Sequence, residues 1–169
     1  MVKRIRYEDG AVDGVDARLL ASLAEDARIS LAELARRVGL SPPSVSERLR
    51  RLEEADVIAG YTIRVNPAAL GLPIAAWLRV RPVPGEMKRV AEILQGLREI
   101  VQCDRVTGED CFIARVHVKS MEHLEEVIDA IIPLAMTNTS IVQSSPVEAR
   151  LPAGFGDGSV GRNKRGSDN

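Results

Sequence analysis

The 169 residues are enough for one domain or two small ones, and with 45% hydrophobic but only 3% aromatic residues any core must be aliphatic. A net charge of −1 excludes a chain that is basic throughout, though not a local basic patch. No apolar run is long enough to cross a membrane, no signal-peptide pattern is present, and Cys103 and Cys111 match no zinc or CxxC spacing. The simplest expectation is a reduced, cytoplasmic protein with no metal and no cofactor.

Residues 1–12 show no period and read as a loose arm. A helical pattern begins at Asp13 or Asp16, with Val15, Leu19, Leu20 and Leu23 on one side and acids at its N-terminal end, where the helix dipole favours them. Ser30 caps a second helix. Glu33 three residues later makes a capping box, and Leu31, Leu34, Ala35 and Val38 form the buried side. Gly39 suits the left-handed conformation that ends a helix.

Ser41 caps the third helix. Pro42 and Pro43 fall among its first residues, whose N–H groups have no intrahelical partner. Val45, Leu49 and Leu52 form one apolar stripe. Pro43, Ser44, Glu47, Arg50 and Arg51 lie on the opposite arc, with Arg48 on its border. Arginine can bond guanine bidentately, and serine can bond several base edges or phosphates, so this arc suits a DNA major groove. The bland alternative is a solvated amphipathic helix. Helix, glycine-containing turn and helix make a helix-turn-helix arrangement. Between Arg28 and Leu52 six arginines face two acids, a local balance of +4 in a near-neutral chain.

Beyond acidic Glu53, Glu54 and Asp56, the runs 57–58 and 61–65 are strand-like, split by Ala59-Gly60, and read as a wing. Ile58, Tyr61, Ile63 and Val65 are expected to cover the helical core. Asn66-Pro67 starts a helical turn through Leu70. From Ile74 the pattern reads strand (74–81), helix (87–97), strand (100–106), strand (111–118), helix (121–132) and strand (140–145), a ferredoxin-like βαββαβ unit. In the third strand Cys111, Ile113, and Val116 or Val118 are taken as the alternating residues. The first strand is apolar on both faces, so the side bare of helices is expected to pack on a second copy. The fold class is thus α+β, a winged helix-turn-helix followed by a βαββαβ domain. The expected bounds are arm 1–12, DNA-binding domain 13–65, hinge 66–73, effector and oligomerisation domain 74–151, and disordered tail 152–169.

Four motifs in order carry a family resemblance over about 12–151. They are Asp16-Ala17-Arg18-Leu19-Leu20 with Asp26-Ala27-Arg28, the stretch Leu40–Glu53 with Ile58-Ala59-Gly60-Tyr61, the stretch Val106–Phe112, and the stretch Thr137–Val142. Together they resemble the leucine-responsive regulatory protein/AsnC family of transcription regulators. The resemblance implies double-stranded DNA as partner, a small-molecule effector, which in many members is an amino acid, and a homodimer that can assemble into an octamer. It also implies no enzyme activity. Members often carry an acid three residues after the loop glycine. Here Cys111 holds that place, and the acids are Glu109 and Asp110.

On this reading Ser44, Glu47, Arg48 and Arg51 face base edges, Arg36, Arg37 and Arg50 face phosphates, and Ser41 and Pro43 complete the DNA-binding set. Thr107, Gly108, Glu109, Asp110 and Cys111, with Thr137, Thr139 and Ser140, line the effector site. The hydroxyls of Thr139 and Ser140 are expected to hold a carboxylate. Two alternatives stand beside it: an amino-acid sensor that binds no DNA, and an enzyme like the tetrapyrrole decarboxylases of similar two-domain fold. The enzyme needs histidines around a pocket, whereas His117 and His123 are expected to lack partners.

Overall fold

The computed structural model describes residues 12–152. All but the last residue of the expected arm and the first of the expected tail lie outside that range. The chain divides into a helical unit up to Ile63 and a sheet unit, Arg64–Val147.

In the helical unit, α1 spans Gly14–Glu25, α2 Leu31–Val38 and α3 Pro42–Glu54. Asp13 caps α1 by accepting from the Val15 and Asp16 amides, each at 2.8 Å, and Asp16 Oδ2 accepts the Asp13 amide in return at 3.2 Å. This is the reciprocal box that sequence reading placed at α2. At α2 only half of it forms. Ser30 Oγ accepts the Glu33 amide at 3.2 Å, but the Glu33 carboxylate turns to Arg36 and Arg37, where a charge-assisted bond is stronger than one to a backbone amide. Gly39 takes φ 74°, ending α2 as expected.

Leu19, Leu34, Ala35, Val38 and Val45 form the core, and Leu52 is equally buried. Each fully buried leucine contributes about 1.5–3 kcal/mol relative to exposure. Leu31, expected inside, is 39% exposed because it opens α2 beyond the reach of that core.

The expected wing does not form as strands. Asp56 adopts a left-handed φ of 53°, and the Val57 and Ile58 amides both donate to the Leu52 carbonyl, at 2.9 and 3.0 Å. The end of α3 therefore takes the hydrogen bonds a strand partner would need. Tyr61, Ile63 and Val65 are 56%, 81% and 50% exposed, so they do not cover the helical core. β-branched and aromatic residues favour a pleated, half-buried surface, and no neighbouring strand supplies one here.

The sheet unit opens with a 3₁₀ turn, Pro67–Leu70, whose cap Asn66 accepts the Ala68 amide at 3.0 Å. Then follow β1 (Ile74–Pro82), α4 (Met87–Gly96), β2 (Ile100–Arg105), β3 (Phe112–Val118), α5 (Met121–Asp129) and β4 (Ala135–Ile141). The sheet order is β2-β3-β1-β4, with every neighbouring pair antiparallel. This is the expected βαββαβ architecture. Ala76, Leu78 and Val80 of β1 meet Val90 and Leu94 of α4 and Leu124 and Val127 of α5 in one aliphatic core.

Two expectations fail here. In β3 the inward residues are Phe112, Ala114, Val116 and Val118, so Ile113 faces the other way, while Cys111 precedes the strand. The continuous apolar run allowed either phase, and Phe112 has the larger area to bury. β4 spans Ala135–Ile141 rather than residues 140–145, so Thr137 and Thr139 are strand residues along with Ser140. Threonine is a good strand former, and Leu78 and Val80 of β1 supply the partners.

Candidate nucleic-acid interface and effector region

α3 exposes the arc expected of it. Ser41, Pro43, Ser44, Glu47, Arg50 and Arg51 are exposed, Arg48 is half-buried, and Val45 and Leu52 face the core. Ser41 Oγ lies 2.8 Å from Ser44 Oγ and 3.4 Å from the Ser44 amide, so both hydroxyls sit at the helix start.

The arginines are not a field of free cations. Arg48 donates from Nη1 to Asp13 Oδ2 at 2.7 Å and Asp16 Oδ1 at 2.8 Å, and Arg51 donates from Nη2 to Asp16 Oδ2 at 2.5 Å. Arg50 is held by Glu54 and by both oxygens of Glu47, and Arg36 by both oxygens of Glu33. Arg37 reaches Glu33 and, at 3.3 Å, Glu25 of α1. The balance of +4 counted along the sequence is therefore offset by Asp13, Asp16, Glu25 and Glu54, which lie outside that stretch. The hydrogen bonds and charge of Arg50 hold the Glu47 carboxyl below its ordinary pKa. Burial pushes the Asp13 carboxyl up, but the Asp16 amide and the Arg48 guanidinium outweigh it, and the net shift is downward.

Arg48 departs furthest from its expected role of facing base edges. Its guanidinium is turned to α1, and its side chain is only 27% exposed. The reason is Asp16, a fully buried carboxylate that needs cationic partners. Asp16 is the residue sequence reading missed. An acid in the middle of an otherwise apolar face, Val15-Asp16-Ala17 with Leu19, was the available signal.

In the sheet unit, the β2–β3 loop holds Thr107, Gly108, Glu109 and Asp110. The Val106 amide donates to the Cys111 carbonyl at 3.0 Å, and the Cys111 amide to the Val80 carbonyl at 3.0 Å. Gly108 has φ 113°, which a residue with a Cβ rarely adopts, so the turn itself requires it. Cys111 is half-buried and packs on the aliphatic core.

Thr137 stands opposite Val80 on β4, so both groups flank the same end of β1. Successive strand residues alternate in face. Thr137 and Thr139, paired with Val80 and Leu78, share the helix-covered side, while Ser140, paired with Trp77, lies on the other. Thr139 and Ser140 therefore cannot grip one carboxylate from the same side. A cavity of about 390 Å³ lies between α4 and β2, bordered by Ala91, Leu94, Gln95, Cys103, Arg105 and Phe112. None of the expected effector residues lines it.

His123 is not partnerless as expected: its Nε2 lies 3.0 Å from Glu99 Oε1. Burial, together with the charge of Arg115, pushes the His117 pKa down. Among the described residues no group of three or more His, Cys, Asp or Glu side chains is placed to hold a metal, and no helix is long and apolar enough to cross a membrane.

The model of the AsnC-type helix-turn-helix domain matches residues 12–53, and that of the Lrp/AsnC ligand binding domain matches residues 75–152. The chain is 34% identical over 133 residues to the HTH-type transcriptional regulator LrpC of Bacillus subtilis (strain 168), a match covering 79% of this chain and 92% of that protein. It is 36% identical over 130 residues to the HTH-type transcriptional regulator LrpA of Mycobacterium tuberculosis, covering 76% of this chain and 87% of that one. The solved structure of B. subtilis LrpC superposes with a TM-score of 0.78 at 32% identity, covering 82% of this chain and 99% of the other. A feast or famine regulatory protein from M. tuberculosis, complexed with L-methionine, superposes at 0.77 with 33% identity, covering 83% and 97%. With its helix-turn-helix and its βαββαβ sheet both matched in order, this chain belongs to the Lrp/AsnC family of helix-turn-helix transcriptional regulators.

Proposed function

We propose that α3 reads operator DNA in the major groove and that the sheet unit couples this reading to a small effector, an amino acid or related metabolite. The carrying observation is the exposed arc of Ser44, Glu47, Arg50 and Arg51 on a helix anchored from behind by Val45 and Leu52. In this reading residues 13–65 are the DNA-binding domain, 66–73 the hinge and 74–151 the effector and oligomerisation domain. Arg36, Arg37 and Arg50 exchange their carboxylate partners for phosphates. All three are exposed, and exposed ion pairs are weak enough to exchange.

The amino-acid class is supported by the L-methionine complex of the M. tuberculosis relative. In this chain Glu109 and Asp110 supply carboxylates for an ammonium group, and Thr107 and Thr137 supply hydroxyls at the same end of the sheet. An effector acts only by binding one assembly better than another.

The open face of the sheet is the proposed dimer surface. Trp77 and Ile113 are half-buried there, the Arg115 guanidinium lies 5.4 Å from the Trp77 ring centre, and Met136 is 67% exposed. A two-fold dimer would then place two copies of α3 in successive major grooves about 34 Å apart.

Genomic footprinting of the purified protein on sheared DNA of its own source, with and without an amino-acid mixture, tests the reading. Discrete two-fold sites whose occupancy changes with the mixture are the expected result. Absence of discrete sites would overturn it.

A further inference from the structure

We propose that Asp16 is a positioning residue for DNA recognition: its buried carboxylate fixes the Arg51 guanidinium so that the rest of that side chain meets a base edge in one orientation. The proposal rests on the reading of α3 as the DNA-binding helix.

One carboxylate makes three bonds. Asp16 Oδ2 accepts from Arg51 Nη2 at 2.5 Å and from the Asp13 amide at 3.2 Å, and Oδ1 accepts from Arg48 Nη1 at 2.8 Å. The residue is fully buried, so its orientation is set by the packing of α1. The two arginines differ. Arg48 is mostly covered and also bridges to Asp13, so it serves to lock α3 onto α1. Arg51 is 54% exposed, and among the described residues Asp16 is its one side-chain partner. Its Nε and Nη1 donors and the second hydrogen of Nη2 have no other side-chain partner among the described residues.

An unheld arginine samples many rotamers, and ordering them at the moment of binding weakens the contact. Here the ordering is done during folding. Nη2 carries two hydrogens, and the one not given to Asp16 pairs with a neighbouring Nε or Nη1 hydrogen as a fork of donors, the geometry that guanine requires. A phosphate contact gains little from such fixing, because charge alone suffices. The device therefore acts on sequence discrimination more than on general affinity.

The test is full-length Asp16→Asn, which keeps the size and an acceptor oxygen but removes the charge. The probes are a DNA fragment recovered by footprinting with the unaltered protein and the same fragment with its protected bases scrambled. Binding is followed by fluorescence anisotropy over a range of salt. The expected result is a loss of roughly tenfold on the recovered fragment, the size of one base contact, with the scrambled fragment and the salt slope unchanged. Arg51→Lys, a change at an exposed side chain, should show the same pattern and carries the test if Asp16→Asn does not fold. In an Arg51→Ala background, Asp16→Asn should add nothing to the loss of discrimination. Equal losses on both fragments, tracking a lowered melting temperature, would reduce Asp16 to a structural clamp and overturn the proposal. Unchanged discrimination would overturn it as well. If the unaltered protein recovers no discrete fragment, the DNA-binding reading falls instead.

Discussion

Arg81 Nη2 near the end of β1 donates to Glu109 Oε2 in the β2–β3 loop at 2.7 Å. The loop expected to meet the effector is thereby tied to the strand that runs between its two halves. Glu109 is 88% exposed, so the pair contributes at most about 1 kcal/mol. Glu109→Gln should leave the melting temperature nearly unchanged while altering the effector concentration at which DNA binding responds. An unaltered response would place the effector away from this loop.

Leu52 is almost fully buried beneath α3. Leu52→Ala should cost about 2–5 kcal/mol by removing apolar contact and leaving a cavity. Ser41→Ala should cost only about 1 kcal/mol, the worth of a helix cap. Chemical denaturation of both variants measures the two values. If the cap variant were the worse one, the assignment of α3's buried side would be wrong.

Arg50 sits between Glu47 and Glu54 at the exposed surface. If it exchanges them for a phosphate, Arg50→Ala should weaken cognate and unrelated DNA alike. It should also reduce the slope of log affinity against log salt by about 0.9. Selective loss on cognate DNA would make Arg50 a base reader instead.

The lowered pKa of Asp13 sets a pH dependence. A carboxylate whose folded pKa lies below its unfolded value stabilises the fold fully above the unfolded value. That contribution is lost as pH falls through the folded value. The gap in melting temperature between the unaltered protein and Asp13→Asn should therefore be present at neutral pH and close below about pH 4, near the unfolded carboxylate value. A gap that persisted in acid would mean the side chain works by shape and not charge.

Trp77 and Arg115 stack on the open face of the sheet. If this face joins two copies, Trp77→Asp should leave monomers in sedimentation experiments and weaken DNA binding, because two linked helices bind more tightly than one. A dimer that survived this change would have to use another surface.

The local signals were legible without any structure. Ser30, Ser41 and Asn66 cap where they stand, Gly39 ends α2, and the stripe of Val45 and Leu52 faces inward, because capping and periodicity depend on neighbours in sequence. The order βαββαβ followed from the same alternation of periods. Tertiary structure decided what depends on distant partners. Thr137 and Thr139 became strand because β1 lies beside them, Phe112 and not Ile113 turned inward because the helices cover that face, and residues 61–65 stayed out of any strand because no ladder met them. The roles of the arginines also belonged to tertiary structure. Arg48 and Arg51 are three residues apart on one helix, yet what each can do is set by Asp16, more than thirty residues earlier in the chain. A buried carboxylate must find its cations wherever folding brings them.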